Sequence, residues 1–285
     1  MMQNKEIVEK RRMCPNCRAF ITTDDKVCPY CDMQLGSRAV DLRVPDNLLG
    51  GLLPSTRFLT TLILIVNSGL FVATVLYSMN REENGGALMN LDFQTLAIFG
   101  AKYYQGIAAG QYWRLVTAGF LHGGLIHIAF NSFSLLDVGA HVEETFGLSR
   151  MAVIYVVSTV TGFGLSYLVN PLVLSIGASA GIFGLIGAML AWGIIWQRTA
   201  YGAAVKTQYS RWLLYGLLMS FMGRIDMAAH IGGLVGGFAV AWIAGEPHKN
   251  PAADRVWDIA MYLALAIVVF SFAQVALTLL PGVLE

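Results

Sequence analysis

Ser179, His127, Asn131 and His230 have the side chains to do chemistry, and each lies in a stretch otherwise almost free of polar groups. Such residues inside an apolar segment are costly, which makes each a candidate for function. Ser179 sits in Gly177-Ala178-Ser179-Ala180-Gly181-Ile182-Phe183-Gly184. His230 sits in Ala229-His230-Ile231-Gly232-Gly233, followed by Gly236-Gly237. The third run is His122-Gly-Gly-Leu-Ile-His127-Ile-Ala-Phe-Asn131. A serine hydroxyl is a weak nucleophile until a base takes its proton, and a neutral imidazole is the usual base. A serine at a helix start also has free backbone N–H groups beside it, suited to an oxyanion. His127 and Asn131, four apart on one helix face, add side-chain donors. The set points to acyl transfer.

Blander readings exist for each residue alone. Gly-x-Ser-x-Gly can be helix packing, and a lone His230 can be an interhelical hydrogen-bonder or part of a proton or metal path. His122 is nine residues from Asn131 and falls on a different angular face of a continuous helix. Asp226, four residues before His230, reads as a solvated or capping charge rather than a third catalytic member. The joint occurrence of serine, histidines and asparagine favours the catalytic reading.

A second constellation lies in the first 31 residues: Cys14-Pro15-Asn16-Cys17, ten residues, then Cys28-Pro29-Tyr30-Cys31. Two such knuckles supply four thiolates for tetrahedral Zn²⁺. A segment this short has no core of its own, so the metal would supply most of its folding energy. Two disulfides or a redox pair are the alternatives. A reducing compartment argues against the first, and the lack of a βαβ context against the second. Structural zinc in a small ribbon is the expectation.

The elements that must position these residues follow from composition. Of 285 residues, 56% are hydrophobic before 30 glycines are added, and only 13% are charged. A soluble domain has about a quarter charged residues. Disorder, a collagen-like fibre and a disulfide-stapled secreted domain are excluded, and a net charge of +1 gives no reason to expect nucleic acid. The chain reads as a polytopic membrane protein. Seven apolar stretches are expected as spans: Phe58–Tyr77, Thr117–Val138, Met151–Val169, Ala178–Trp196, Trp212–Gly223, Ala228–Ala244 and Trp257–Leu280. The polar residues before the first span argue against a signal peptide. A cytoplasmic N-terminus puts fifteen Lys and Arg inside and four outside, so the C-terminus is expected outside. Spans two, four and six then all start at the outer face, with Ser179 and His230 at one shallow depth. Gly177-xxx-Gly181 and Gly233-xxx-Gly237 are small-xxx-small faces that let helices approach.

These residues resemble the rhomboid family of intramembrane serine proteases over about Phe58 to Ala244. The resemblance rests on Trp113-Arg114, His122-x4-His127-x3-Asn131, Gly177-Ala178-Ser179 with Phe183 and Gly184, and Ala229-His230-x2-Gly233-x3-Gly237. It implies an all-α six-helix bundle plus one C-terminal transmembrane helix; the zinc ribbon before it is an appended module that the family does not require. The corresponding domains are 1–35 (cytoplasmic ribbon), 36–57 (linker), 58–245 (protease core) and 246–285 (added helix). By the resemblance Ser179 is the nucleophile and His230 the base of a dyad without a carboxylate. His127, Asn131 and the Ser179 N–H form the oxyanion hole, and Phe183 packs on the His230 ring. Trp113 and Arg114 belong to a loop partly in the outer leaflet, and Glu143 is a structural acid. His122, Gly177, Gly233 and Gly237 support the site. The order Ala180-Gly181, where the family usually has Gly-Ala, and the seventh span are the departures. The implied activity is cleavage of transmembrane helices near the outer face, without a catalytic cofactor. The implied partners are transmembrane substrates and lipid; the appended ribbon offers a surface for a cytosolic partner, and a bacterial plasma membrane is the location expected from the ribbon-plus-six-span layout. A non-catalytic helix binder in membrane-protein quality control is the competing function. A small proton-path transporter is disfavoured, since no inverted repeat of broken helices is visible.

Overall fold

The computed structural model describes residues 11–14, 16, 17, 19–22, 25, 27–33, 57–81, 86–222, 225–245 and 250–283. The chain divides into two compact units, Met1–Gly51 and Leu52–Glu285. The expected linker 36–57 lies outside the described residues except for Arg57, as do residues 1–10, 34, 35, 223, 224 and 246–249.

In the first unit, β1 (Arg11–Met13) and β2 (Phe20–Thr22) form an antiparallel pair, with Arg12 opposite Ile21. The turn between them carries Cys14 and Cys17, and Cys14 N–H donates to the Ala19 carbonyl at 2.9 Å. Cys28 N–H donates to the Met33 carbonyl at 2.9 Å, and Asp32 takes a positive φ of 51° to close that second turn. Pairing this short cannot hold itself together; its interior is Cys14, Ile21 and Cys28 with Cys31 against them.

The second unit is helical. α1 (Phe58–Arg81) is followed by three short helices, α2 (Phe93–Ile98), α3 (Tyr104–Ala108) and α4 (Arg114–Thr117). A 3-10 turn, Ala118–Phe120, leads through an extended Leu121 to α5 (Leu125–Ser134). A π-helical turn, Leu135–Gly139, joins α5 to α6 (Ala140–Val169), and α6 is broken at Gly147, where φ is 74° and ψ 170°. Then come α7 (Ser179–Ile195), α8 (Ala200–Met222), α9 (Met227–Ala244) and α10 (Pro251–Val283).

Among the described residues four segments are long and apolar enough to cross a bilayer: Phe58–Asn80, Leu125–Val169, Met227–Ala244 and Pro251–Leu279. The chain is thus a multi-pass membrane protein. The second segment has 45 residues, about 68 Å at 1.5 Å per residue and twice a hydrocarbon core. Gly147 divides it into 125–146 and 148–169, each of bilayer length, and only glycine takes a φ of 74° without strain. Three expected boundaries move. The second apolar stretch starts at Thr117 in the sequence, but its first residues form α4 and the 3-10 turn, and the helix begins after Gly123-Gly124. The fifth was read from Trp212, whereas α8 starts at Ala200. Lys206 and Arg211 lower the apolarity without breaking the helix, because both side chains are exposed. The seventh begins at Pro251, a residue pre-organised for a first turn.

The core is α7, packed closely between α6 and α9 with every residue from Ala180 to Met189 buried. α7 and α9 run parallel: a Cβ on Gly233 would strike the Ala180 backbone, and one on Gly237 the Gly184 backbone. α6 crosses both antiparallel, with Thr161 against Gly232 and Gly236 and Ser158 against Gly184. On α9 the expected Gly233-xxx-Gly237 face does meet α7. On α7 the facing residues are instead Ala180, Gly184 and Gly187, while Gly181 makes room for the Tyr155 ring of α6. That contact gives the Ala180-Gly181 order a packing reason. Removing Cβ lets helices close to van der Waals range where apolar burial against lipid supplies no drive.

Three buried polar clamps fix the frame. Glu143 accepts from Leu59 N–H, Thr60 N–H and Thr60 Oγ1 at 2.8–2.9 Å, satisfying donors at the start of α1. Arg114 donates to Gln111 Oε1 and to the carbonyls of Ala97 and Ala101, and lies over the Tyr103 ring. Arg150 donates to the Ala244 carbonyl at 3.0 Å and pairs with Asp254 at 2.8 Å, which ties α6 to α9 and α10.

Candidate active site

Ser179 is the first residue of α7, and the chain enters through Gly177, whose φ is 126°. Gly177 N–H donates to the Ala118 carbonyl at 2.9 Å, fixing the turn against the 3-10 segment. His230 lies one turn into α9, 5% exposed, and α9 is capped by Asp226, which accepts from Ala229 N–H at 3.3 Å. Ser166 and Asn170 at the end of α6 also donate to Asp226. The capping reading of that residue therefore holds, and α6 clamps the start of the His230 helix.

The parallel packing of α7 and α9 puts Ser179 Oγ 2.8 Å from His230 Nε2. On its other side the imidazole meets a residue that nothing in the sequence singled out. Ser220 Oγ of α8 lies 2.8 Å from His230 Nδ1 and donates its own proton to the Gly216 carbonyl at 2.7 Å. The Phe183 ring, one turn beyond Ser179, stacks on the imidazole at 4.1 Å and 13°. The sequence signal for Ser220 was a Gly216-xxx-Ser220 spacing, which reads as ordinary membrane-helix packing.

His127 and Asn131 lie one turn apart on α5 and flank Gly177. A Cβ built on Gly177 would fall 2.8 Å from His127 Nε2 and 3.5 Å from Asn131 Nδ2, so glycine leaves open the space those nitrogens border. Gly123 N–H donates to His127 Nδ1 at 3.4 Å, which leaves Nε2 to carry the ring proton. Asn131 is 8% exposed, and its Nδ2 has no acceptor among the described residues. Two N–H donors thus border a space next to the start of α7, a geometry suited to a developing oxyanion.

The other expected residues divide. His122 is 1% exposed, sits in the extended segment before α5 rather than on its helix, and meets the His127 ring edge-on at 5.1 Å. The angular argument that set it apart from Asn131 assumed one continuous helix and does not apply. Phe130 is exposed, whereas Ile128 and Leu135 are buried against neighbouring elements. Trp113 is the N-cap of α4, and its carbonyl accepts from Val116 and Thr117 N–H. Arg114 and Glu143 serve the frame, away from the Ser–His pair. Gly233 and Gly237 set the α7–α9 distance.

In the first unit the four cysteine sulfurs lie within 4.8 Å of one another, and all four thiols are free. Cys14 Sγ is 3.6 Å from Cys31 Sγ, and Cys17 Sγ is 3.6 Å from Cys28 Sγ. Tetrahedral Zn–S bonds of about 2.3 Å need S···S edges of about 3.8 Å. The cluster fits a metal of that kind. The Cys17 backbone N–H draws the Cys14 thiol down to about 6, favouring a thiolate ligand at neutral pH.

The sequence family described as the Rhomboid domain matches residues 109–247, a span that holds Ser179, His230, His127 and Asn131. The chain is 36% identical over 200 residues to "Rhomboid protease GluP" of Bacillus subtilis, covering 70% of this chain and 38% of that protein. It is 30% identical over 212 residues to "RHOMBOID-like protein 6, mitochondrial" of Arabidopsis thaliana, covering 66% of this chain and 69% of that protein. It is also 34% identical over 154 residues to "Rhomboid-like protease 3" of Toxoplasma gondii, covering 52% and 57%. The chain therefore spans between 38% and 69% of these relatives' lengths.

Proposed function

The chain belongs to the rhomboid family, and from that premise we propose that it is an intramembrane serine endopeptidase. In this reading Ser179 is the nucleophile and His230 the general base, and the substrate is a transmembrane helix of another membrane protein, cut near the outer face. The observation that carries it is the 2.8 Å contact between Ser179 Oγ and His230 Nε2. Ser179 Oγ attacks the scissile carbonyl carbon while its proton passes to Nε2. The carbonyl oxygen becomes an oxyanion held by His127 Nε2–H, Asn131 Nδ2–H and the Ser179 backbone N–H. The C–N bond breaks, the new amine takes the proton from Nε2, and an acyl-Ser179 ester remains. Water, deprotonated by the same nitrogen, hydrolyses the ester and returns the proton to Ser179. His230 and water carry every proton, so the reaction uses no metal or other cofactor.

The substrate helix must unwind locally, because its peptide carbonyls are otherwise committed to internal hydrogen bonds. Helix-weakening residues near the outer end are therefore the expected recognition feature. The bundle is read as six spans plus α10, in a bacterial plasma membrane, with the N-terminus cytoplasmic and the C-terminus outside. Cys14, Cys17, Cys28 and Cys31 would hold a structural Zn²⁺ that ties the ribbon together, leaving its surface free for a cytosolic partner. The test is cleavage of a fluorogenic transmembrane substrate by purified full-length protein, with Ser179→Ala and His230→Ala beside it. Both variants should lose activity. Cleavage unchanged in Ser179→Ala would remove the dyad, and substrate binding without cleavage by the wild type would favour a helix-binding role.

A further inference from the structure

We propose that Ser220 is a positioning residue for His230, setting which ring nitrogen is free to act as the base; the inference rests on the protease reading above. An imidazole accepts the Ser179 proton at Nε2 only if its own ring proton sits on Nδ1. In many serine enzymes a buried carboxylate enforces that tautomer. Here the carboxylate nearest in sequence, Asp226, is spent on Ala229 N–H, Ser166 and Asn170. The group facing Nδ1 is the Ser220 hydroxyl at 2.8 Å. That hydroxyl has one proton, donated to the Gly216 carbonyl one turn back at 2.7 Å. Only its lone pairs remain for His230, so Nδ1 must donate and Nε2 must be bare. Ser220 is 4% exposed and His230 5%, so water does not compete freely for either bond.

The same turn of α8 supports the ring from its face. A Cβ on Gly216 would fall 2.7 Å from Phe183 Cζ, so Gly216 lets Phe183 lie flat between α8 and the imidazole. Phe183 stacks on His230 at 4.1 Å. Gly216 and Ser220, four apart on one helix face, therefore seat the imidazole by its face and by its edge. A neutral hydroxyl orients the ring as a carboxylate would but adds no charge to stabilise the imidazolium. The effect of losing it is accordingly moderate.

Full-length wild type would be compared with Ser220→Thr, which keeps the oxygen, and Ser220→Val, which has the shape of the threonine variant without the oxygen. Cleavage of the transmembrane substrate in Ser220→Val should lose about 10- to 30-fold in kcat with KM unchanged. Ser220→Thr should stay within about threefold of wild type, and the thermal midpoints should agree. Nitrogen-15 spectra of histidine-labelled protein give a second readout independent of turnover. The neutral His230 proton should reside on Nδ1 in wild type and Ser220→Thr, and be shared with Nε2 in Ser220→Val. Equal kcat and equal tautomer in Val and Thr variants would overturn the inference. If the wild type cleaves nothing, the protease reading fails, and the tautomer spectra still decide whether Ser220 sets the ring.

Discussion

Replacing Gly237 by alanine tests whether glycine contacts far from the reacting atoms set the Ser–His distance. The added Cβ would meet the Gly184 carbonyl oxygen and lie 2.5 Å from the Gly184 carbonyl carbon and Cα. All three atoms are backbone, so no side chain can swing aside. Ordinary contact needs at least 3.4 Å, and α9 must therefore move about 1 Å from α7. Gly237 lies seven residues, about 10 Å, along α9 from His230, close enough for a rigid helix to carry the shift to the ring. A displacement of that size at a catalytic pair costs about 100-fold in rate, and the overpacking costs about 1–3 kcal/mol of stability. Cleavage kinetics and the thermal midpoint of detergent-purified protein would be measured together. Gly69→Ala is the control, since nothing lies within 4 Å of the Cβ it would add, and it should be silent in both assays. Wild-type kcat and midpoint in Gly237→Ala would refute the claim that the α7–α9 approach is set by missing Cβ atoms.

Asn131→Ala should lower kcat by about 100-fold with KM little changed, because an oxyanion donor acts on the transition state; substrate saturation curves check it. Glu143→Ala strands three donors at the start of α1 and should lower stability by about 2–3 kcal/mol, read as a fall in the thermal midpoint. Purified protein should carry one zinc per chain by metal analysis, and Cys28→Ser should release it. Arg150→Ala breaks the pairing of α6 with α9 and α10 and should cost about 3 kcal/mol, visible as early proteolysis of the α10 region.

The sequence by itself determined the membrane class, most of the apolar helices and the chemistry-bearing residues. Each of these is written locally: apolar runs, a serine and histidines where polar groups are costly, and two Cys-Pro-x-Cys knuckles. The pairing of Ser179 with His230 was legible because both stand at starts of helices running the same way. Other features depended on neighbours distant in the chain. That Gly181 faces Tyr155 while Gly184 and Gly187 face α9 follows from helix rotation, which hydropathy does not encode in so uniformly apolar a helix. The start of α8 was hidden because Lys206 and Arg211 lower hydropathy yet cost the backbone nothing. His122 was placed on the wrong element because Gly123-Gly124 delays the helix until Leu125. Ser220 was invisible because a serine four residues after a glycine is common in membrane helices. Only the antiparallel approach of α8 to α7 brings that hydroxyl to His230 Nδ1, and a hydrogen bond across two helices is a property of their packing, not of either helix's sequence.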